Sequence, residues 1–431
     1  MGYLLQNGGL GMAGDWIITG GRPLQGRVEV PAAKNSVLPL LAASLLCSGP
    51  VRLQNVPRLT DVGDCLALLR GVGCTAGWQG AALAVQGQPM RTDLAPEAAG
   101  RMRASILFCA PLLARLGRVS TVLPGGCRIG ARPIDLHLQG LAQMGVRQLP
   151  AAPGQLTLYA PAGLRGAEIC LSFPSVGATE NLLIAAAGTP AETKITGAAA
   201  EPEISDLLAY LRGCGALIES QPDGAILVQG REALTGCCCH AILPDRIEAA
   251  TYLAAAAITG GEITVYASPE HLAAPLAALR RMGCRITTGE QSITLTAPEH
   301  LQGAGSIVTL PYPGFPTDLQ AIFMALAAAA EGYTAFTETV FPRRWAHVEE
   351  LRRLGADITV VGSHAVIRGA PLIGSALTCT DLRAGAAVVL AALAAKGESS
   401  VTAISHIERG YADFVPTPVS YTHLTLPTNR E

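Results

Sequence analysis

A unit that recurs six times, about 70 residues apart, restricts the folding of this chain more than any other feature. One half of the unit is an Ala/Leu-rich helical stretch, a glycine near its end and a short alternating strand. It starts at Asn35 (NSVLPLLAASLLCSGPVRL), Arg103 (RASILFCAPLLARLGRVSTV), Ala178 (ATENLLIAAAGTPAETKIT), Ile247 (IEAATYLAAAAITGGEITV), Thr317 (TDLQAIFMALAAAAEGYTAF) and Leu382 (LRAGAAVVLAALAAKGESSV). The other half is a second helix closed by the signature Leu-x-x-hydrophobic-Gly, with its glycine at Gly73, Gly145, Gly215, Gly283 and Gly355. A helix C-terminus needs a left-handed residue, so each of these glycines predicts a stop. Each unit reads strand, helix, strand, helix and strands, which makes the chain an α/β protein.

With 431 residues there is room for two domains of roughly 200 residues each, three units apiece. Hydrophobic residues make up 49% and charged residues 15%, as in a compact protein with large cores. A net charge of -2 leaves no electrostatic footprint for nucleic acid or an anionic membrane, so any bound anion must be held by local clusters. Apolar runs such as Ala384 to Ala395 are too short to span a bilayer and predict core helices. The 12 cysteines lie mostly in apolar runs and predict buried free thiols in a reducing, cytoplasmic setting. The start, MGYLLQNGGLGMAGDW, has no basic region and does not read as a signal peptide. The run CCCH, Cys237 to His240, lacks the spacing of a metal knuckle and reads as a strand entering an interdomain linker.

Two features point to chemistry. LPGGCRIGARP, Leu123 to Pro133, places one thiol, Cys127, among three glycines and two arginines, in a segment that cannot continue a helix or strand. Arg128 and Arg132 would favour a thiolate there, although a surface loop with an incidental cysteine also fits. The second is the set of residues at the starts of the six Ala/Leu-rich helices: Lys34 and Asn35, Arg103, Thr179 and Glu180, Arg246 and Glu248, Asp318, and Arg383. Helix N-termini suit anions, and capping alone would not place Lys34, Arg103 or Arg383 there. If these ends face a shared cleft, the cleft becomes an anion trap.

A sixth stop glycine should fall near position 425. After Phe414 the chain instead reads VPTPVSYTHLTLPTNRE, with three prolines and no helical period, which predicts that the native end is missing and that residues 415–431 are a foreign tail.

The segments AAKNSVLPLLAASLL, RASI, LPGGCRIGARPIDLH, FPSVGATEN, AAAEPEI, LPDRIEAATYLAAAAITGG, PYPGFPTDLQA, TETVFPRRWAHVEELRRLGAD, DLRAGAAVVLA and HIERGY resemble the MurA-type enolpyruvyl transferases, within the EPSP synthase superfamily. The likeness runs from about Trp16 to Phe414. It implies two inside-out α/β barrel domains of three units each, one of residues 14–33 with 242–414 and one of 34–241. It also implies transfer of the enolpyruvyl group of phosphoenolpyruvate to the 3'-hydroxyl of UDP-N-acetylglucosamine, releasing phosphate, in peptidoglycan synthesis. Its residue roles carry over one by one. Cys127 would be the proton donor to C3 and the site of a covalent adduct, on a loop that closes as a lid, and Asp318 the base beside the 3'-hydroxyl. Lys34, Asn35, Arg132, Arg383 and Arg409 would bind phosphoenolpyruvate, with Lys34 and Arg409 taking part in catalysis. Arg103, Arg132, Pro133, Ile134, Asp135, Leu136, Ser175, Val176, Gly177, Asp318 and Val340 would contact the nucleotide sugar. Phe173 stands where some relatives carry a lysine, removing one cation from the diphosphate site. The resemblance implies small-molecule substrates only, with no nucleic acid or membrane partner, and no metal or organic cofactor.

Two other readings compete. The sister family that makes 5-enolpyruvylshikimate 3-phosphate shares the repeat but lacks the loop cysteine, and its NAGTAMR-like segment is absent here. A non-catalytic binder of nucleotide sugars would have little use for Cys127.

Overall fold

The computed structural model describes residues 15–123, 134–236 and 239–412. They fall into two compact units, one of residues 15–30 with 244–412, the other of 31–123, 134–236 and 239–243. The Ala/Leu-rich stretches form α1 (Lys34–Ala43), α2 (Cys109–Leu116), α3 (Val176–Ala187), α4 (Arg246–Ile258), α5 (Gln320–Ala329) and α6 (Leu382–Ala394).

Three helix starts differ from the sequence reading, one of them α5, where Thr317–Leu319 is a 3-10 turn and the α-helix begins at Gln320. The stretch from Arg103 opens as a 3-10 turn, Arg103–Phe108, and becomes α-helical only at Cys109. Pro111 explains this: it has no N–H to give to a carbonyl four residues back, so it belongs in the first turn of a helix, not deep inside one. In α3, Ser175 caps the end, its Oγ accepting from the Ala178 N–H at 3.4 Å. Thr179 and Glu180 therefore lie within the helix and are buried rather than standing at its start.

In the unit built from 244–412, α4, α5 and α6 pack on one another, and every residue of α4 is buried. Three sheets accompany them. In each, the strand that follows a buried helix lies between a parallel and an antiparallel neighbour. Glu262–Tyr266 sits between Gln25–Glu29 and Ile293–Thr296, Tyr333–Thr337 between Gly305–Val308 and His364–Arg368, and Glu398–Thr402 between Ala376–Thr378 and Trp16–Thr19. These strands alternate, burying Ile263 and Val265, for example, while Glu262 faces out. The other unit also has three sheets, centred on Val51–Gln54, Glu192–Thr196 and Gln155–Tyr159. There α2 packs on α3, and α1 packs on the Arg103–Phe108 turn and the helix Pro202–Gly213. His240–Ala241 pairs in parallel with Val51–Gln54, so the end of the CCCH run is a short strand; Cys237 and Cys238 lie outside the described residues. Cys47, Cys65, Cys74, Cys109, Cys214, Cys284 and Cys379 are buried, whereas Cys170 and Cys239 are exposed.

The Leu-x-x-hydrophobic-Gly signature has one physical cause. Gly73, Gly145, Gly215, Gly283 and Gly355 take φ of +107°, +95°, +102°, +94° and +97°. The next N–H in each case turns back to the signature leucine's carbonyl: Cys74 to Leu69, Val146 to Leu141, Ala216 to Leu211, Cys284 to Leu279 and Ala356 to Leu351, at 3.0 to 3.1 Å. Such a stop needs glycine at the left-handed position and is tightened by apolar contact between the leucine and the residue after the glycine. All five leucines are buried. Replacing Leu279 by Ala should cost about 2–5 kcal/mol through the cavity it leaves, and Gly283→Ala about 1–2 kcal/mol through left-handed strain. The urea midpoint of the full chain measures both, and a larger loss at Gly283 than at Leu279 would contradict this account.

Candidate active site

A helix buried on every side can present polar groups only at its ends, and the site candidates lie there. In the unit holding α4 to α6, Asp245 caps α4, its Oδ1 accepting from the Ile247 and Glu248 N–H groups at 2.8 and 3.0 Å. Asp381 caps α6 in the same way, through the N–H groups of Arg383 and Ala384, both at 2.9 Å. Asp318 lies in the 3-10 turn Thr317–Leu319 just before α5, and it is the N-cap residue of neither element, those being Pro316 and Leu319. Its Oδ1 accepts from Arg344 Nη2 at 2.7 Å and lies 3.7 Å from Arg383 Nε. The two arginine side chains are 6% and 5% exposed against 31% for Asp318, so the carboxylate is held from inside and keeps an open edge.

Arg383 also lies 5.2 Å from the centre of the Tyr411 ring, and the Tyr411 hydroxyl meets Thr251 Oγ1 at 3.0 Å. Burial disfavours the Arg383 charge, yet Tyr411, Asp318 and Asp245 raise its pKa above the ordinary arginine value, so it is a fixed cation. Arg409, half-buried, ends the 3-10 turn Ile404–Arg409, and half-buried Val340 follows the strand Tyr333–Thr337. Neither Arg344 nor Tyr411 is legible in the sequence. RRW and RGY carry no period or spacing that marks one arginine or one tyrosine as the partner of an aspartate elsewhere in the chain.

In the other unit Lys34 is the first residue of α1, and its Nζ lies 3.1 Å from Asp61 Oδ2, with the side chains 12% and 6% exposed. A lysine at a helix N-terminus is unfavourable by itself; Asp61 neutralises it. In sequence Asp61 reads as an ordinary first-turn acid of the helix Thr60–Gly71, so its partner was not legible. Asn35 is half-buried beside Lys34, and half-buried Arg103 opens its 3-10 turn. Asp135 is the exposed first residue of the helix Asp135–Gln143, between half-buried Ile134 and Leu136. Half-buried Ser175, Val176 and Gly177 form the cap and first residues of α3.

Buried His137 joins these last two helix starts. Its Nδ1 accepts from the Asn181 amide at 3.1 Å, and a Cβ on Gly177 would come within 3.3 Å of its Cε1, a tight contact that glycine avoids. Burial, with Arg103 adding to it, lowers the His137 pKa to about 4, leaving a neutral ring. Phe173, two residues before Ser175, is 43% exposed. Cys127, Arg132, Pro133 and the rest of residues 124–133 lie outside the described residues, as does 413–431 with its expected foreign tail. His240 Nε2 is paired with Asp206 Oδ1 at 2.8 Å, and among the described residues no group of three or more His, Cys, Asp or Glu is placed to hold a metal ion.

His347 behaves like His137: burial, partly opposed by Asp381, lowers its pKa to about 4. An unfolded imidazole takes its proton near 6.5, so between about pH 6.5 and 4 the unfolded state binds more protons than the folded one. Both rings should therefore stay neutral to about pH 4, with the stability they contribute complete above pH 6.5 and lost as pH falls through that window. Imidazole C–H shifts followed by NMR, with urea midpoints at each pH, measure this; titration of either ring near 6.5 would contradict it.

The geometry so described is an open-edged carboxylate between buried guanidinium groups in one unit, and a paired lysine with anion-suited helix starts in the other. A model of the family described as EPSP synthase (3-phosphoshikimate 1-carboxyvinyltransferase) matches residues 18–417. The UDP-N-acetylglucosamine 1-carboxyvinyltransferase 1 of Symbiobacterium thermophilum is 45% identical over 408 residues, 92% of this chain and 91% of that protein. The UDP-N-acetylglucosamine 1-carboxyvinyltransferase of Gluconacetobacter diazotrophicus is 45% identical over 401 residues, 92% and 95% of the two chains. Among solved structures, the enolpyruvyl transferase NikO from Streptomyces tendae superposes with a TM-score of 0.84 at 26% identity, covering 94% of this chain and 96% of that one. The EPSP synthase of Acinetobacter baumannii, at 18% identity and a TM-score of 0.73 over 95% and 98% of the chains, shares the fold. This chain belongs to the EPSP synthase family of enolpyruvyl transferases.

Proposed function

We propose that this chain transfers the enolpyruvyl group of phosphoenolpyruvate to the 3'-hydroxyl of UDP-N-acetylglucosamine with release of phosphate, the committing step of peptidoglycan synthesis. The observation that carries the reading is Asp318: a partly exposed carboxylate fixed by buried Arg344 and Arg383, in a chain 45% identical to relatives named for this activity. Protonation of C3 makes C2 electrophilic, the sugar hydroxyl adds to C2, and loss of a C3 proton with phosphate restores the double bond. Asp318 takes the hydroxyl proton. Cys127 supplies and recovers the C3 proton and forms the adduct with phosphoenolpyruvate; a thiol with pKa near neutrality suits both directions of transfer.

Lys34, Asn35, Arg132, Arg383 and Arg409 bind the phosphate and carboxylate of phosphoenolpyruvate, where the arginine fork can bond two oxygens at once. Arg103, the segment Arg132 to Leu136, Ser175 to Gly177 and Val340 contact the nucleotide sugar, whose diphosphate is met by backbone N–H groups at the start of α3. With Phe173 in place of a lysine, that diphosphate loses one cation, which affects affinity and not the reaction. The reading includes two inside-out α/β barrel domains of three units, 14–33 with 242–414 and 34–241. It places the protein in the cytoplasm, and the chemistry needs no metal or organic cofactor because an acid, a base and fixed cations suffice.

Phosphate release from phosphoenolpyruvate with UDP-N-acetylglucosamine, beside a parallel assay with shikimate 3-phosphate, tests the proposal. Turnover with shikimate 3-phosphate alone would sink it. Asp318→Asn should lower kcat about 10²–10⁴-fold, the range of a lost general base. Mass spectrometry after incubation with both substrates should find the adduct at Cys127, and full activity in Cys127→Ser would remove the acid assignment.

A further inference from the structure

Glu338, directly after the strand Tyr333–Thr337, is fully buried at 0% exposure, where water cannot satisfy its carboxylate. Its carboxylate is instead saturated by four donors. Oε1 accepts from the Val340 N–H at 2.9 Å, the Phe341 N–H at 2.8 Å and the Thr309 hydroxyl at 2.8 Å. Oε2 accepts from the Thr317 hydroxyl at 2.9 Å. Thr309 is tied in further: its Oγ1 accepts from the Thr339 N–H at 2.9 Å, and its carbonyl from the Thr339 hydroxyl at 2.5 Å. A buried carboxylate with fewer partners would cost more than it contributes, so this saturation marks a built arrangement.

The two oxygens do different things. Oε1 holds the turn that begins at Val340. Oε2 takes the single proton of the Thr317 hydroxyl, which leaves that oxygen's lone pairs for Arg344, whose Nη1 donates to it at 3.1 Å. The guanidinium is a rigid planar fork, so fixing Nη1 on Thr317 also fixes Nη2, which donates to Asp318 Oδ1 at 2.7 Å. Arg344 is itself 5% exposed and has no solvent in which to reorient.

From this we infer that Glu338 is a positioning residue for the transfer reaction: through Thr317 and Arg344 it orients the Asp318 carboxylate, and through the Val340 and Phe341 amides it sets the turn that faces the nucleotide sugar. It couples base and sugar contact without touching either substrate. The inference rests on the enolpyruvyl-transfer reading for its catalytic consequence, while the network itself can be tested apart from activity.

Thr317→Val keeps the three bonds to Oε1 and removes the hydroxyl that joins Oε2 to Arg344. It should lower kcat about tenfold to a hundredfold, as slight misplacement of a reacting group does, with KM for UDP-N-acetylglucosamine unchanged within about twofold. In Glu338→Gln the amide oxygen can still accept at the Oε1 position, while its NH2 faces Thr317 and deprives that hydroxyl of its acceptor. Its kcat should fall to a similar degree, with a thermal midpoint close to that of the unaltered protein. The double variant should be no slower than the slower single one, because both act through one path. Wild-type kcat in Thr317→Val, or losses that multiply in the double variant, would overturn the inference. If the unaltered chain releases no phosphate, the transfer reading fails by itself. The network is then read by hydrogen exchange: Glu338→Ala should speed exchange of the Val340 and Phe341 amides at least about tenfold, and unchanged exchange there would overturn it.

Discussion

Burial of Ala/Leu-rich helices on all sides is the constraint on which the rest of this structure depends. In α4 every residue is buried, and α5 and α6 are nearly as enclosed. A helix of that kind has no solvated face, so it needs sheets and other helices around it, and small alanine side chains let the helices approach closely. Each fully buried leucine or isoleucine along such a helix contributes roughly 1.5–3 kcal/mol of transfer free energy. The same enclosure pushes polar chemistry to the helix ends, where backbone N–H groups lack partners and charged side chains can reach solvent or ligand.

That placement accounts for the ion pairs at the site. Arg383 enters α6 one residue after its start, and Lys34 opens α1, both positions where the helix dipole opposes a cation. Each is offset by an acid from elsewhere in its unit: Lys34 by Asp61, and Arg383 by Asp318 with Asp245 nearby. Buried pairs of this sort add little net stability, since desolvation offsets their attraction. In the proposed reaction they serve instead as fixed charges for the substrate. Asp318, with 31% of its side chain open, is the acid in this set with room to act on something outside the protein.

Much of the architecture could be seen in the chain itself because its causes are local. The Leu-x-x-hydrophobic-Gly stops were legible since a left-handed glycine and a returning N–H involve residues only five positions apart in the chain. The helix starts were less so. Pro111 delays α2, and Ser175 advances α3, because one missing N–H or one capping hydroxyl outweighs the apolar period around it. Arg344, Tyr411, Asp61, His137 and Glu338 escaped because each acts through a partner that no period or spacing along the chain ties to it.

What the sequence by itself determined was the repeat, the α/β class, the stops, and the residue types at the helix starts; these follow from short-range sterics and from where apolar side chains recur. Only the tertiary structure decided which acid answers which cation, that Asp318 is held by two arginines and not spent on a helix cap, and that one buried carboxylate, Glu338, ties Thr309, Thr317, Val340 and Phe341 together. The reason is physical: hydrogen bonds and ion pairs form between whatever groups folding brings within about 3 Å, and that proximity is set by the packing of whole elements, not by spacing along the chain.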